Sequence, residues 1–137
     1  YCKKAHEDIE KLLENYKDLK VIYKNFPILS EKSVELAKLS ILVAEQDNEK
    51  FNKFHKKLLN IKGMITDSKL EKISNEINLD LISLKEKVSN KNVDEKLSQD
   101  FELAKELGLK GTPVFIIDDE IFMGFVGYDA LSSKVSE

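Results

Sequence analysis

Residues 107–117 read LGLKGTPVFII. Leu107 closes an apolar row and Gly108 follows it, which is where a helix stops. Gly111, Thr112 and Pro113 then interrupt regular structure, and Val114, Phe115, Ile116 and Ile117 form a run of β-formers. Asp118, Asp119 and Glu120 are polar, and residues 121–126 are apolar again. This predicts a β-hairpin, followed by a terminal helix from about Asp129.

Upstream of Gly108, Val93, Leu97, Phe101, Ala104 and Leu107 recur at helical spacing, and Asn92 with Glu95 three residues on is compatible with a capping box. Four further helices precede that one. Ser30 is a suitable N-cap for a helix reaching about Gln46, whose apolar residues cover most of its circumference, so it is expected to be buried on several sides. Phe51, Phe54, Leu58 and Ile61 mark the next, which Gly63 ends. Thr66 opens a helix carrying Leu70, Ile73 and Ile77, and Asp80 opens a shorter one carrying Leu84 and Val88. At the start of the chain Ala5, Ile9, Leu12, Leu13 and Tyr16 predict a helix over 3–16, with Cys2 in its first turn and on its inner row. Leu19, Val21 and Tyr23 then alternate with Lys20 and Lys24 up to Phe26 and Pro27, which reads as a short strand. The predicted order is α, β, five helices, β, β, α, predominantly helical by content.

At 137 residues with 42% apolar side chains, the chain is long enough for one domain with a real core and too apolar to be disordered. The longest apolar runs, residues 41–44 and 114–117, fall far short of the roughly 18–20 needed for a helical membrane span. Twenty-two cations against 25 anions give −3 with the signs mixed, which argues against a nucleic-acid partner. Every cation is lysine, so no arginine fork exists for bidentate phosphate or carboxylate recognition. The one cysteine, Cys2, excludes an intramolecular disulfide and reads either as a small core hydrophobe or as a reactive thiol. His6 lies four residues after it on the same helix face. With only His55 as another imidazole and no second thiolate, no metal site and no cofactor is expected.

YCKKAH at residues 1–6, VIYKNFPIL at 21–29, LGLKGTPVFII at 107–117 and GFVGYDAL at 124–131 together resemble the DsbA-like thiol-disulfide oxidoreductases, whose thioredoxin-like α/β fold carries an all-helical insertion. The resemblance covers almost the whole chain. It implies a thioredoxin-like part at 1–29, a helical insertion at 30–106 and a second thioredoxin-like part at 107–137. These enzymes carry Cys-x-x-Cys at the start of the first helix, and Cys2 matches the second cysteine. The expectation is therefore an N-terminally truncated fragment with an incomplete sheet, lacking the first strand or strands and the attacking sulfur, and hence inactive by itself.

The resemblance also implies the site. Cys2 is the resolving thiol, Pro113 a cis proline facing it, and Thr112 the residue whose backbone pairs with an extended client. Tyr1 and His6 would tune the dithiol. It implies cysteine-containing unfolded or folding polypeptides as clients, a membrane-bound redox partner, and a periplasmic or otherwise exported location. Lys24 would be a charged neighbour of the dithiol or a solvated lysine. A fragment lacking a central strand is expected to self-associate through its open sheet edges. The alternatives are a glutathione-binding transferase or isomerase of the kappa-like type, which uses a serine near this position, and a non-catalytic thioredoxin-like binding module.

Overall fold

A computed structural model of the chain describes residues 1–27 and 30–137; positions 28 and 29, the end of the 21–29 stretch, lie outside the described residues. The elements are α1 (Cys2–Asn15), α2 (Glu31–Gln46), α3 (Asn48–Leu59), α4 (Asp67–Glu76), α5 (Leu81–Lys87), α6 (Lys91–Glu106), β1 (Val114–Ile117), β2 (Glu120–Met123) and α7 (Tyr128–Val135). They divide into two compact units, Tyr1–Lys24 with Glu106–Glu137, and Asn25–Lys105.

In the first unit α1 packs on α7. Leu131 of α7 is 1% exposed, and Ala5 and Leu12 are the buried apolar residues of α1. Polar contacts line the same seam. Asn15 Nδ2 donates to Tyr128 Oη at 2.8 Å, the hydroxyls of Tyr16 and Ser132 share a hydrogen bond of 2.7 Å, and Lys11 Nζ sits 4.1 Å from the centre of the Tyr128 ring. Strands β1 and β2 pair antiparallel, with Val114 opposite Met123 and Ile117 opposite Glu120. Their two-residue connection, Asp118 and Asp119, places Asp118 at φ 55°, in the left-handed region that aspartate tolerates. Beyond the strands, Gly124 N donates to Pro113 O at 2.9 Å, so the pairing extends back to the loop before β1.

The strand expected around residues 19–24 is absent. Leu19, Val21 and Tyr23 are half-buried while Lys20, Ile22 and Lys24 are exposed, so the period-two pattern holds, yet no strand forms there. Alternation fixes which side chains turn inward. A strand also needs a neighbouring ladder for its amides and carbonyls, and the hairpin pairs only with itself among the described residues.

The second unit is helical. Helix α2 buries Ala37 and the whole of residues 39–43, as expected of a helix apolar on most sides. Phe54, Leu39, Val43, Leu70, Leu84 and Val93 are almost wholly removed from solvent and form its core. Side-chain caps punctuate the block: Ser30 Oγ accepts from Ser33 N, Thr66 Oγ1 from Lys69 N, and Asp80 Oδ1 from Ser83 N. Asp47 serves two helices at once. Its backbone N–H closes α2 on Val43 O, and its Oδ1 accepts from Glu49 N and Lys50 N to open α3. The capping role expected of Asn92 falls to Asn90, whose Oδ1 accepts from Asn92 N and whose carbonyl accepts from Val93 N and Asp94 N. The helix therefore starts at Lys91, with Asn92 already inside its first turn.

Two predictions follow from the packing. Truncating Phe54 to alanine empties the centre of the second unit and costs about 3–5 kcal/mol, measured as a lowered urea midpoint at unchanged slope. In the α1–α7 seam, Asp8 Oδ2 is buried without a hydrogen-bond partner. Its carboxyl is held above the ordinary value first by that burial, partly offset by Lys11, with Glu7 and Asp129 adding to the rise. A carboxyl raised in the folded state favours folding in acid and loses that contribution as pH rises through its folded value. Asp8→Asn should therefore melt at a higher temperature than the parent at neutral pH, the difference closing as pH falls below the ordinary aspartate range; equal melting at neutral pH would refute the assignment.

Candidate functional site

The site forms where the first turn of α1 meets the loop before β1. Cys2 is the first residue of α1, where backbone N–H groups have no partner within the helix and the dipole favours negative charge. Gly108, at φ 68°, follows the last turn of α6 in the left-handed conformation that stops a helix, four residues before Thr112. Cys2 Sγ donates to Thr112 Oγ1 at 3.5 Å, joining two side chains 110 positions apart. The Thr112–Pro113 peptide bond is cis. Cys2 is half-buried and Thr112 exposed, so the sulfur is partly shielded while the loop's outer side meets solvent.

The remaining residues singled out in the sequence distribute differently. Tyr1 is 82% exposed, with Lys4 Nζ 5.8 Å from the centre of its ring. His6 is 7% exposed, one turn along α1 from Cys2, and its Nε2 lies 3.5 Å from Glu10 Oε1. Lys24 is exposed. His55 stacks on Phe51 in the helical unit, with ring centres 5.5 Å apart. No group of three metal-ligating side chains occurs among the described residues.

Two residues of this neighbourhood escaped the sequence reading. Glu10 stands four positions after His6 on the same helix row, a spacing visible in the sequence itself. Tyr23 belongs to the ladderless segment after α1; burial raises its hydroxyl above the ordinary tyrosine value, and the Glu10 carboxylate raises it further. The hydroxyl thus keeps its proton through the neutral range. On the hairpin, Val114, Ile116, Ile121 and Met123 share one face, where Ile116 is 50% and Met123 56% exposed.

Comparison with known proteins places this geometry. The family model described as the DSBA-like thioredoxin domain matches residues 1–136. Among solved structures, a thioredoxin-like oxidoreductase from Silicibacter pomeroyi superposes with a TM-score of 0.89 at 29% identity, covering 99% of this chain and 78% of that one. The catalytic domain of Proteus mirabilis ScsC gives 0.87 at 31% identity, covering 99% and 74%. The thiol-disulfide exchange protein alpha-DsbA2 from Wolbachia pipientis gives 0.89 at 30%, covering 98% and 73%. Among curated proteins, a chain named Na(+)/H(+) antiporter NhaA 1 from Salinispora arenicola is 21% identical over 136 residues. The present chain spans 21% of the length of that relative. No helix among the described residues is long and apolar enough to cross a membrane. Family match, superposition and the order of elements agree, and the chain belongs to the DSBA-like thioredoxin domain family, with a thioredoxin-like fold interrupted by a helical insertion.

Proposed function

We propose that Cys2 is the resolving thiol of a protein thiol-disulfide exchange site. The observation that carries this reading is the contact of Cys2 Sγ with Thr112 Oγ1, which sets the thiol of α1 against the loop before β1. In such a cycle an attacking cysteine thiolate displaces one sulfur of a client disulfide and forms a mixed disulfide. The Cys2 thiolate then attacks the sulfur of that cysteine, an internal disulfide forms, and the client leaves as a thiolate that takes up a proton. Run in reverse, the same steps oxidise a client dithiol. An extended client segment lies along the exposed backbone at Thr112 as an added strand, and Pro113 holds that loop in place. Tyr1, at the solvent side, and His6, one turn behind the sulfur, tune the dithiol.

The exchange needs an attacking sulfur besides Cys2, and the sequence holds a single cysteine. With that attacking sulfur lacking, the 137-residue chain by itself does not turn over clients. Clients are cysteine-containing unfolded or folding polypeptides in an exported compartment, the periplasm in a two-membrane bacterium, and a membrane-bound partner renews the redox state. The outer edges of β1 and β2 carry no ladder partner among the described residues, and the chain in isolation self-associates through them.

Two experiments test this. In the complete gene product, Cys2→Ser should reduce insulin-reduction turnover to background while the client mixed disulfide accumulates; undiminished turnover would remove Cys2 from the mechanism. In the 137-residue chain, light scattering should report a mass above that of the monomer under reducing conditions, and a monodisperse monomer rules out edge association.

A further inference from the structure

Among the described residues, the buried polar side chains are His6, Ser40 and Ser74. Ser74 is explained by its own helix, donating to Leu70 O at 2.8 Å. His6 is different: it lies one helical turn from the candidate thiol and meets a carboxylate, since its Nε2 is 3.5 Å from Glu10 Oε1. Cys2, His6 and Glu10 thus form one row along α1 at successive spacings of four. Tyr23, in the segment after α1, is half-buried, and burial first and the Glu10 carboxylate second raise its hydroxyl above the ordinary tyrosine value.

Resting on the reading of Cys2 as an exchanging thiol, we infer that Glu10 is a positioning residue for it, acting through His6. The carboxylate, 3.5 Å from Nε2, attracts the imidazole one helical turn from the sulfur, and the charge carried by the His6–Glu10 pair sets how readily Cys2 ionises. No bond to sulfur forms or breaks in this step; a proton resident on the imidazole favours the nearby thiolate over the thiol.

Several described groups face the row or lie near it. From α1 itself come Glu10 on His6 and, at the solvent end, Lys4 on the Tyr1 ring. From the segment after α1 comes Tyr23, and from the loop before β1 comes Thr112, which carries no charge. Helix α7 presents Asp129 to Asp8 and Tyr128 to Lys11, on the other side of α1. Glu10 lies eight positions beyond Cys2, about 12 Å along the axis, outside the Debye length of roughly 8 Å at physiological salt. Its direct effect on the thiol is therefore weak, and opposite in sign to its effect through His6.

That difference in sign makes the test decisive. The rate of alkylation of the single thiol by iodoacetamide, followed against pH in the 137-residue chain, reads the thiolate fraction without any exchange partner. It thus stands or falls independently of turnover in the complete protein. Glu10→Gln should slow the neutral-pH reaction by about threefold and move its pH profile upward, because thiolate is the reacting form. The same substitution in a His6→Gln background should have no further effect, which a merely structural role for Glu10 would not produce. If Glu10→Gln loses helical circular dichroism, Glu10→Asp replaces it: this variant keeps the charge, shortens the reach, and should slow alkylation likewise. An unchanged or faster rate in the folded variant, or an equal slowing by Glu10→Gln with and without His6, overturns the proposal.

Discussion

The site depends on the packing of α1 against α7. A thiol and a hydroxyl 110 positions apart are brought within contact only if the ends of the chain are held together. Leu131, the Tyr16–Ser132 hydrogen bond and the donation from Asn15 to Tyr128 do this. With α1 anchored on α7, its N-terminal turn is directed at the loop that leads into β1. The hairpin fixes that loop from the other side, through the hydrogen bond from Gly124 N to Pro113 O. The chemistry of Cys2 is thus set by contacts that mostly lie several turns away from it.

The legible features of the sequence were those with local causes. Helical periodicity located the helical block, and Ser30, Thr66 and Asp80 cap their helices as short polar residues ahead of apolar rows should. The hairpin was visible in its β-formers and polar turn. The segment around Val21 and Tyr23 shows where local reading ends: side-chain alternation reports an inner and an outer face, while strand formation depends on a neighbour that no local pattern supplies. Asn92 went wrong by two residues because Asn90 competes for the same role with the same side chain, and the backbone carbonyl of Asn90 decided between them. Glu10 and Tyr23 were missed because a charged helix residue and a strand-like tyrosine look ordinary until folding sets the one beside a buried imidazole and half-buries the other.

The meeting of Cys2 with Thr112 was legible in a different way, through the resemblance of separated motifs and not through periodicity. Spacing along a chain says nothing about proximity across 110 positions. What it did offer was a thiol at a helix start and a Gly-Thr-Pro turn before a hairpin, two features that acquire meaning only as a pair. The comparisons set the chain beside longer ones: nearly all of this sequence corresponds to about three quarters of several solved thioredoxin-like structures and to 21% of a protein named as an antiporter.

Asp47 has a consequence for how this protein tolerates change in length. Because one residue both ends α2 and begins α3, the two helices have no slack between them. Inserting a single amino acid there would part the two roles, so that one residue could no longer both close α2 and cap α3, and would shift Phe51 and Phe54 from their buried positions. The junction behaves as a rigid elbow, and drift in chain length during evolution is better absorbed in the longer connection between Leu59 and Asp67.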